Sequence, residues 1–267
     1  MLFLLYSFYY YFIIFDGDVM KEKEVLDQIS YIGFLLLRYG AEIYRVEESL
    51  TRMMNGLGYY DVEVFALPAY FTMSCTLKDG TPYCITKRSI FNRINLGKIY
   101  DLNDLVRRIS DKEVQVENLQ EEIFNVLEKP LNHNLILIGY IISAPSFTLF
   151  FGGGIKDMII AVISGFILYY AILVMENLCV NSIFRTIAGS MILASISMIA
   201  YKCHFIENVD YSIIGTLMIL TPGMAITNSL RDIIRGDYAS GVARLAEALL
   251  IAASIAIGVG IILIIGG

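Results

Sequence analysis

The sequence predicts a mainly α-helical membrane protein: a five-helix transmembrane bundle preceded by a small α+β cytoplasmic domain that contains a β-hairpin. Three observations lead there. Of the 267 residues, 57% are hydrophobic and only 17% charged, with a mean hydropathy of +0.63, where soluble domains carry about 25% charged residues. The charges are segregated, 33 of them in residues 1–134 and 13 in residues 135–267. The apolar half also divides into five stretches near the ~20 residues that a bilayer core requires.

Taken in order, the first stretch is MLFLLYSFYYYFIIF, apolar or aromatic at every position but Ser7. It has neither the cationic start nor the small-residue cleavage site of a signal peptide, and it is too short to span. Residues 1–19 have two readings: a start assigned too early, with translation beginning at Met20 ahead of KEKEV, or an interfacial anchor. Residues 20–134 form the soluble domain. Val25, Ile29, Ile32 and Leu36 recur at helical spacing over 21–39. Gly40 interrupts, and a second helix runs to about Gly56 with Tyr44, Leu50, Met53, Met54 and Leu57 on one broad face. DVEVFALP (61–68), AYFTMSCTL (69–77) and PYCITKRS (82–89) read as strands. Asp79-Gly80 suits a two-residue type I′ turn, which needs positive φ at both positions. That register sets Cys75 opposite Cys84 in a non-hydrogen-bonded pair, with Cα atoms about 4.5 Å apart, within reach of a disulfide. In a reducing cytoplasm two thiols are expected, with a redox switch as the alternative. Asp101 to Lys129 reads as two short helices leading into the membrane half.

The five expected spans are 135–151, 157–175, 183–203, 211–230 and 242–265, joined by GGGIK, ENLCVNS, HFIENVD and RDIIRGDYASG. Such short connections imply antiparallel neighbours. The first span contains Ala144-Pro145-Ser146, and the fourth is interrupted by Thr221-Pro222-Gly223. Arg231, Arg235, Arg244 and Arg185 cluster near two of the loops, whereas Lys156 and Lys202 lie near the others. By the positive-inside rule, the soluble domain is cytoplasmic and the C-terminus external.

Several function classes drop out. A net charge of -6 and a pI near 5.0 oppose nucleic-acid binding, which needs clustered Lys and Arg. Four Cys without a C-x-x-C, and only His133 and His204, offer no zinc-ligand spacing. No metal or cofactor site is expected. Gly152-Gly153-Gly154 lacks the lysine and Ser/Thr pair of a phosphate loop.

YGAEIYRVEESL (39–50) followed by DVEVFALP, and above all TPGMAITNSLRDIIRGDYASGVARLAEALL (221–250), resemble the threonine/serine exporter family. The resemblance runs from Met20 to Gly267. It implies a cytoplasmic N-terminal domain, five spans, and export of small amino or carboxylic acids. The fused exporters are about twice as long and carry a second membrane half, so this chain resembles the half that works with a separate small membrane protein.

The strongest candidate site is span four with its exit loop. A proline inside a membrane helix removes a backbone hydrogen bond. In the hydrocarbon region such breaks occur where they are buried in protein or line a cavity, and transporters bind substrates at discontinuous helices. Thr221, Pro222 and Gly223 form the break, and Thr227 and Asn228 add hydroxyl and amide groups, with Thr221, on roughly one face. A structural kink is the plain alternative. Arg231, Asp232, Arg235 and Asp237 follow; a guanidinium grips a carboxylate through two parallel hydrogen bonds, although interfacial arginines also set topology. In span five, Glu247 sits one turn beyond Arg244 and either pairs with it or faces the pathway as a protonatable group. In the soluble half, Gly40, Glu42, Arg45 and Glu47 belong to the first motif. Glu42–Arg45 and Glu48–Arg52 read as solvated helix pairs.

The expected function is therefore a subunit of a secondary transporter that exports small amino acids or carboxylic acids across the plasma membrane. Its expected partner is a second small membrane protein, or a further copy of this chain. A membrane-anchored hydrolase with its site in residues 40–90, and a purely regulatory subunit, are the rival readings.

Overall fold

The apolar spacing of residues 25–36 becomes the buried side of a long helix, α1 (Gly17–Arg38). The computed structural model describes residues 17–89, 94–130 and 132–266, so most of the N-terminal segment with two readings lies outside the described residues. The chain divides into two compact units, Met1–Lys129 and Pro130–Gly267.

In the first unit α1 ends in a left-handed turn. Gly40 has φ +79°, and the N–H groups of Gly40 and Ala41 donate to the carbonyls of Leu37 (3.1 Å) and Leu36 (3.0 Å). Two carbonyls that the helix end would leave open are thereby satisfied, and only glycine adopts this conformation without strain. The reversal lays α2 (Ile43–Gly56) against α1. Strands β1 (Tyr60–Leu67), β2 (Tyr70–Thr76) and β3 (Pro82–Arg88) form an antiparallel meander in the order β1-β2-β3. Phe71, Met73 and Cys75 alternate into the core beneath α1 and α2, while Thr72 and Thr86 pair across the open face, their Oγ1 atoms 2.9 Å apart. This is the one-sided burial that antiparallel sheets tolerate. Helices α3 (Leu96–Ser110) and α4 (Leu119–Glu128) complete the core.

The β2–β3 register differs from expectation by one residue. Thr76 faces Pro82, Cys75 faces Tyr83, and Ser74 faces Cys84. The loop is Lys78-Asp79-Gly80, three residues and not two: Leu77 N–H donates to Thr81 O and Gly80 N–H to Leu77 O, both at 2.9 Å, with Gly80 at φ +86°. The Asp79 carboxylate accepts both the backbone N–H and the hydroxyl of Thr81, each at 2.8 Å. That local bonding favours a single positive-φ residue over the two of a type I′ turn. Since a one-residue slip moves side chains to the opposite face, Cys75 is buried and Cys84 exposed. The cysteine pair and its redox switch are thereby excluded. Arg52 also departs from expectation, lying 3.7 Å from Asp111.

One interaction has no counterpart in the sequence reading. The buried Lys98 Nζ donates to the carbonyls of Val126 (2.6 Å), Leu127 (3.0 Å) and Lys129 (2.9 Å). It closes the C-terminal end of α4, where open carbonyls and the helix dipole favour a cation.

The second unit begins with α5 (His133–Phe150), α6 (Ile155–Asn177) and α7 (Ser182–Lys202). The expected fourth span then appears as two pieces, α8 (Val209–Leu217) and α9 (Gly223–Ile234), before α10 (Tyr238–Gly266). Helices α5, α6, α7 and α10 are each long and apolar enough to cross a membrane. They approach closely at small residues. A Cβ on Gly165 would lie 2.6 Å from the Tyr140 carbonyl of α5, and one on Gly258 would meet Ser190 and the Ile187 carbonyl of α7. In lipid, where apolar burial does not drive helices together, such backbone proximity is a main source of association. Glu176 and Arg185 pair at 3.1 Å across the α6–α7 loop.

Two outcomes test this fold. Burial pushes the Cys75 thiol up to about 11, so thiolate is scarce at pH 8. Alkylation of the native protein should modify Cys84 while Cys75 reacts only after denaturation; comparable native rates would refute the register. Replacing Lys98 by Met removes a charged donor from three carbonyls, and should cost about 1.5–3 kcal/mol, read as a lower thermal midpoint of the full-length protein.

Candidate functional site

The site forms around the gap between α8 and α9. Pro222 has no N–H to give to the carbonyl four residues back, that of Met218. Thr221 Oγ1 donates to that same carbonyl at 2.7 Å. Ahead of it the chain tightens to three-residue hydrogen bonds, Ile219 N–H to Thr216 O (3.3 Å) and Leu220 N–H to Leu217 O (2.9 Å). The break is therefore a built feature whose carbonyls are met locally. Helix α9 then starts at Gly223 with no side-chain cap. The nine residues of α8 rise roughly 13 Å, about half the ~30 Å thickness of a bilayer core.

Helix α9 carries polar groups on two faces. Asn228, Ser229 and Asp232 are buried, while Gly223, Thr227 and Arg231 are exposed. Thr221, Thr227 and Asn228 thus do not share one face. Thr221 precedes the helix, Thr227 is spent on the Gly223 carbonyl (2.9 Å), and Asn228 points inward. The helix ends at Gly236 (φ +91°), where Gly236 and Asp237 N–H donate to the carbonyls of Ile233 and Asp232, both at 3.0 Å. Asp237 Oδ1 accepts the Ser240 N–H at 3.3 Å and so caps the start of α10.

This tight reversal returns α10 against α9. A Cβ on Gly241 would meet Ile233 and stand 2.9 Å from the Ser229 carbonyl. Asp232 and Arg244 meet across that contact, Oδ2 to Nε 3.4 Å, with side chains only 1% and 11% exposed. Ser229 Oγ, Ser240 Oγ and Asp232 Oδ2 are buried without a hydrogen-bond partner among the described residues. Arg244 reaches across to α9 for Asp232, while Glu247, one turn further along α10, is exposed. The two serines escaped the sequence reading. Their signal was spacing, since Ser229 precedes Asp232 by three residues and Ser240 precedes Arg244 by four.

The N-terminal motif has a different role. Gly40 makes the α1–α2 turn, Glu42 Oε2 holds Arg45 Nε at 2.7 Å, and Glu47 Oε1 accepts the Ala66 N–H at 2.9 Å. Ala66 lies on the outer edge of β1, which among the described residues pairs only with β2. Glu47 satisfies an edge donor and ties α2 to the sheet, so the motif builds the unit and presents no catalytic constellation.

The family model for threonine/serine exporters matches residues 27–266. The chain belongs to the threonine/serine exporter family. The family is one of transport proteins, so the hydrolase reading falls. Among curated relatives, the probable succinate transporter subunit YjjP of Klebsiella aerogenes is 23% identical, with 91% of this chain and 95% of that protein covered. The threonine/serine exporter of Corynebacterium glutamicum is 26% identical over 91% of this chain and 52% of its own length. The probable threonine/serine exporter of Mycobacterium tuberculosis is 22% identical over 91% and 46%. No solved structure matches the chain.

Removing one partner of a buried ion pair leaves an uncompensated charge and costs about 3–5 kcal/mol. For this family member, Asp232→Ala or Arg244→Ala should each lower the thermal midpoint in detergent markedly, and the double variant should lose less than the two single losses combined. Strict additivity would show that the pair is not coupled.

Proposed function

We propose that this chain is a subunit of a secondary transporter that exports small amino acids or carboxylic acids across the plasma membrane. The observation that carries this reading is the broken helix: a short helix that restarts at Gly223 with no side-chain cap, beside a buried Asp232–Arg244 pair. Helices α8 and α9 together make the fourth of five crossings. The soluble unit is cytoplasmic and the C-terminus external, on the strength of the arginines near the α6–α7 and α9–α10 loops.

The chemistry follows from the parts. The first-turn N–H groups of α9 form the positive end of a helix dipole, which favours a carboxylate. Thr221, Pro222 and Gly223 shape that end, and Thr227 and Asn228 flank it. Arg231, two turns along the exposed face, provides a planar guanidinium for a second carboxylate contact. Asp232, Arg244 and Glu247 are the ionisable groups available to couple transport to a gradient, and the sequence has no nucleotide-binding loop to supply another energy source. The names of the relatives support both the substrate class and a subunit role.

Cells lacking the chain should accumulate substrate. Arg231→Ala should restore little export although the protein reaches the membrane in normal amount, while Glu42→Ala should leave export measurable wherever the unit folds. Export that continues after both proton and sodium gradients are collapsed would exclude the secondary-transport mechanism. Full export with this chain deleted and its partner kept would favour a regulatory role instead.

A further inference from the structure

The two ends of α3 meet different surfaces within the first unit. The helix has fifteen residues and rises roughly 22 Å. Around its C-terminal end the surface is ionic. Arg52 reaches Asp111 at 3.7 Å, and Arg107 pairs with Asp104 at 3.3 Å, all with well exposed side chains. Around its N-terminal end large apolar side chains stand out instead. Leu96 is 59% exposed, Tyr100 69% and Ile94 47%. Leu96 and Tyr100 are four residues apart and so share one side of the helix. Ile94 leans on the α1–α2 turn, where a Cβ on Gly40 would stand 3.0 Å from its Cγ1. Single exposed apolar residues are ordinary, whereas a cluster marks an interaction surface.

The same end of α3 holds the last residues before the membrane half. Lys98, between Leu96 and Tyr100, bonds the carbonyls of Val126, Leu127 and Lys129. Lys129 Nζ in turn meets Asp101 at 2.7 Å. Helix α5, long and apolar enough to cross a bilayer, starts at His133. The four steps from Lys129 to His133, at 3.8 Å each, span about 15 Å at most. Covalent connection alone therefore keeps the start of α3 within reach of the layer that α5 enters. A tyrosine one turn from a leucine suits that layer, because the ring and the aliphatic chain leave water while the hydroxyl stays hydrated.

We propose that the start of α3, through Ile94, Leu96 and Tyr100, rests in the interfacial layer of the bilayer and anchors the first unit to the lipid surface. This goes beyond the transport reading and rests only on α5 crossing the membrane, whatever the cargo.

The sequence contains no tryptophan, so a single one reports its own surroundings when excited beyond the tyrosine absorption. Tyr100→Trp and Leu96→Trp are made separately in the full chain and reconstituted in vesicles of phosphatidylethanolamine and phosphatidylglycerol. The acyl chains are plain, brominated near the headgroup, or brominated near the methyl end. Tyr60→Trp is the control. Tyr60 is 64% exposed and lies four residues beyond Gly56, whose Cβ would stand 2.8 Å from the Ser110 carbonyl at the far end of α3. Both α3 positions should lose several-fold more emission to brominated lipid than position 60, and more to bromine near the headgroup than near the methyl end. Two positions guard against a variant that fails to fold. Equal loss at all three positions, or none on α3, would overturn the proposal. So would blue-shifted emission that bromine leaves unchanged, which would mean that protein covers this surface.

Discussion

Backbone polar groups in hydrocarbon must find partners within protein or at trapped water, and the second unit is organised around one place where the helix cannot supply them. Pro222 leaves the Met218 carbonyl without its usual donor, and Thr221 takes over with its hydroxyl. Because that carbonyl is met locally, α8 can stop and α9 can restart, which sets the length of α9 at twelve residues. The Gly236 reversal then returns α10 at a distance short enough for Asp232 and Arg244 to meet. A continuous helix over 211–230 would rotate and lengthen the segment, and the buried pair would have no reason to align.

The buried pair also accounts for the small residues beside it. Gly241 lets α10 approach the α9 backbone, and a larger side chain would collide with Ile233 and the Ser229 carbonyl. Two charges removed from water are tolerable only when held close, so the glycine and the ion pair depend on each other. The hydroxyls of Ser229 and Ser240, without a hydrogen-bond partner among the described residues, keep the α9–α10 contact polar over more than one turn.

The first unit follows a different logic. Its acidic residues serve as joints: Glu47 closes an edge donor of β1, and Glu42 orders Arg45 at the start of α2. Lys98 gathers three carbonyls at the end of α4. Each places a charged group where the backbone lacks a partner, so these residues are needed for assembly without chemistry of their own.

The sequence by itself determined what depends on local composition and period. Helical spacing located α1, α2 and the apolar helices, Pro222 marked the break, and the motif at 221–250 carried the family resemblance. Tertiary structure decided whatever depends on which face meets which neighbour. The two-residue turn inferred from Asp79-Gly80 gave way to a three-residue loop in which the Asp79 carboxylate bonds Thr81. Asp232 as a partner of Arg244 was invisible to local spacing, because desolvation favours the carboxylate across a buried contact between two helices. Lys98 carried no pattern at all, since its three acceptors are backbone carbonyls, which every residue has. Periodicity reports that a residue is turned inward; only the packed neighbours determine what it finds there.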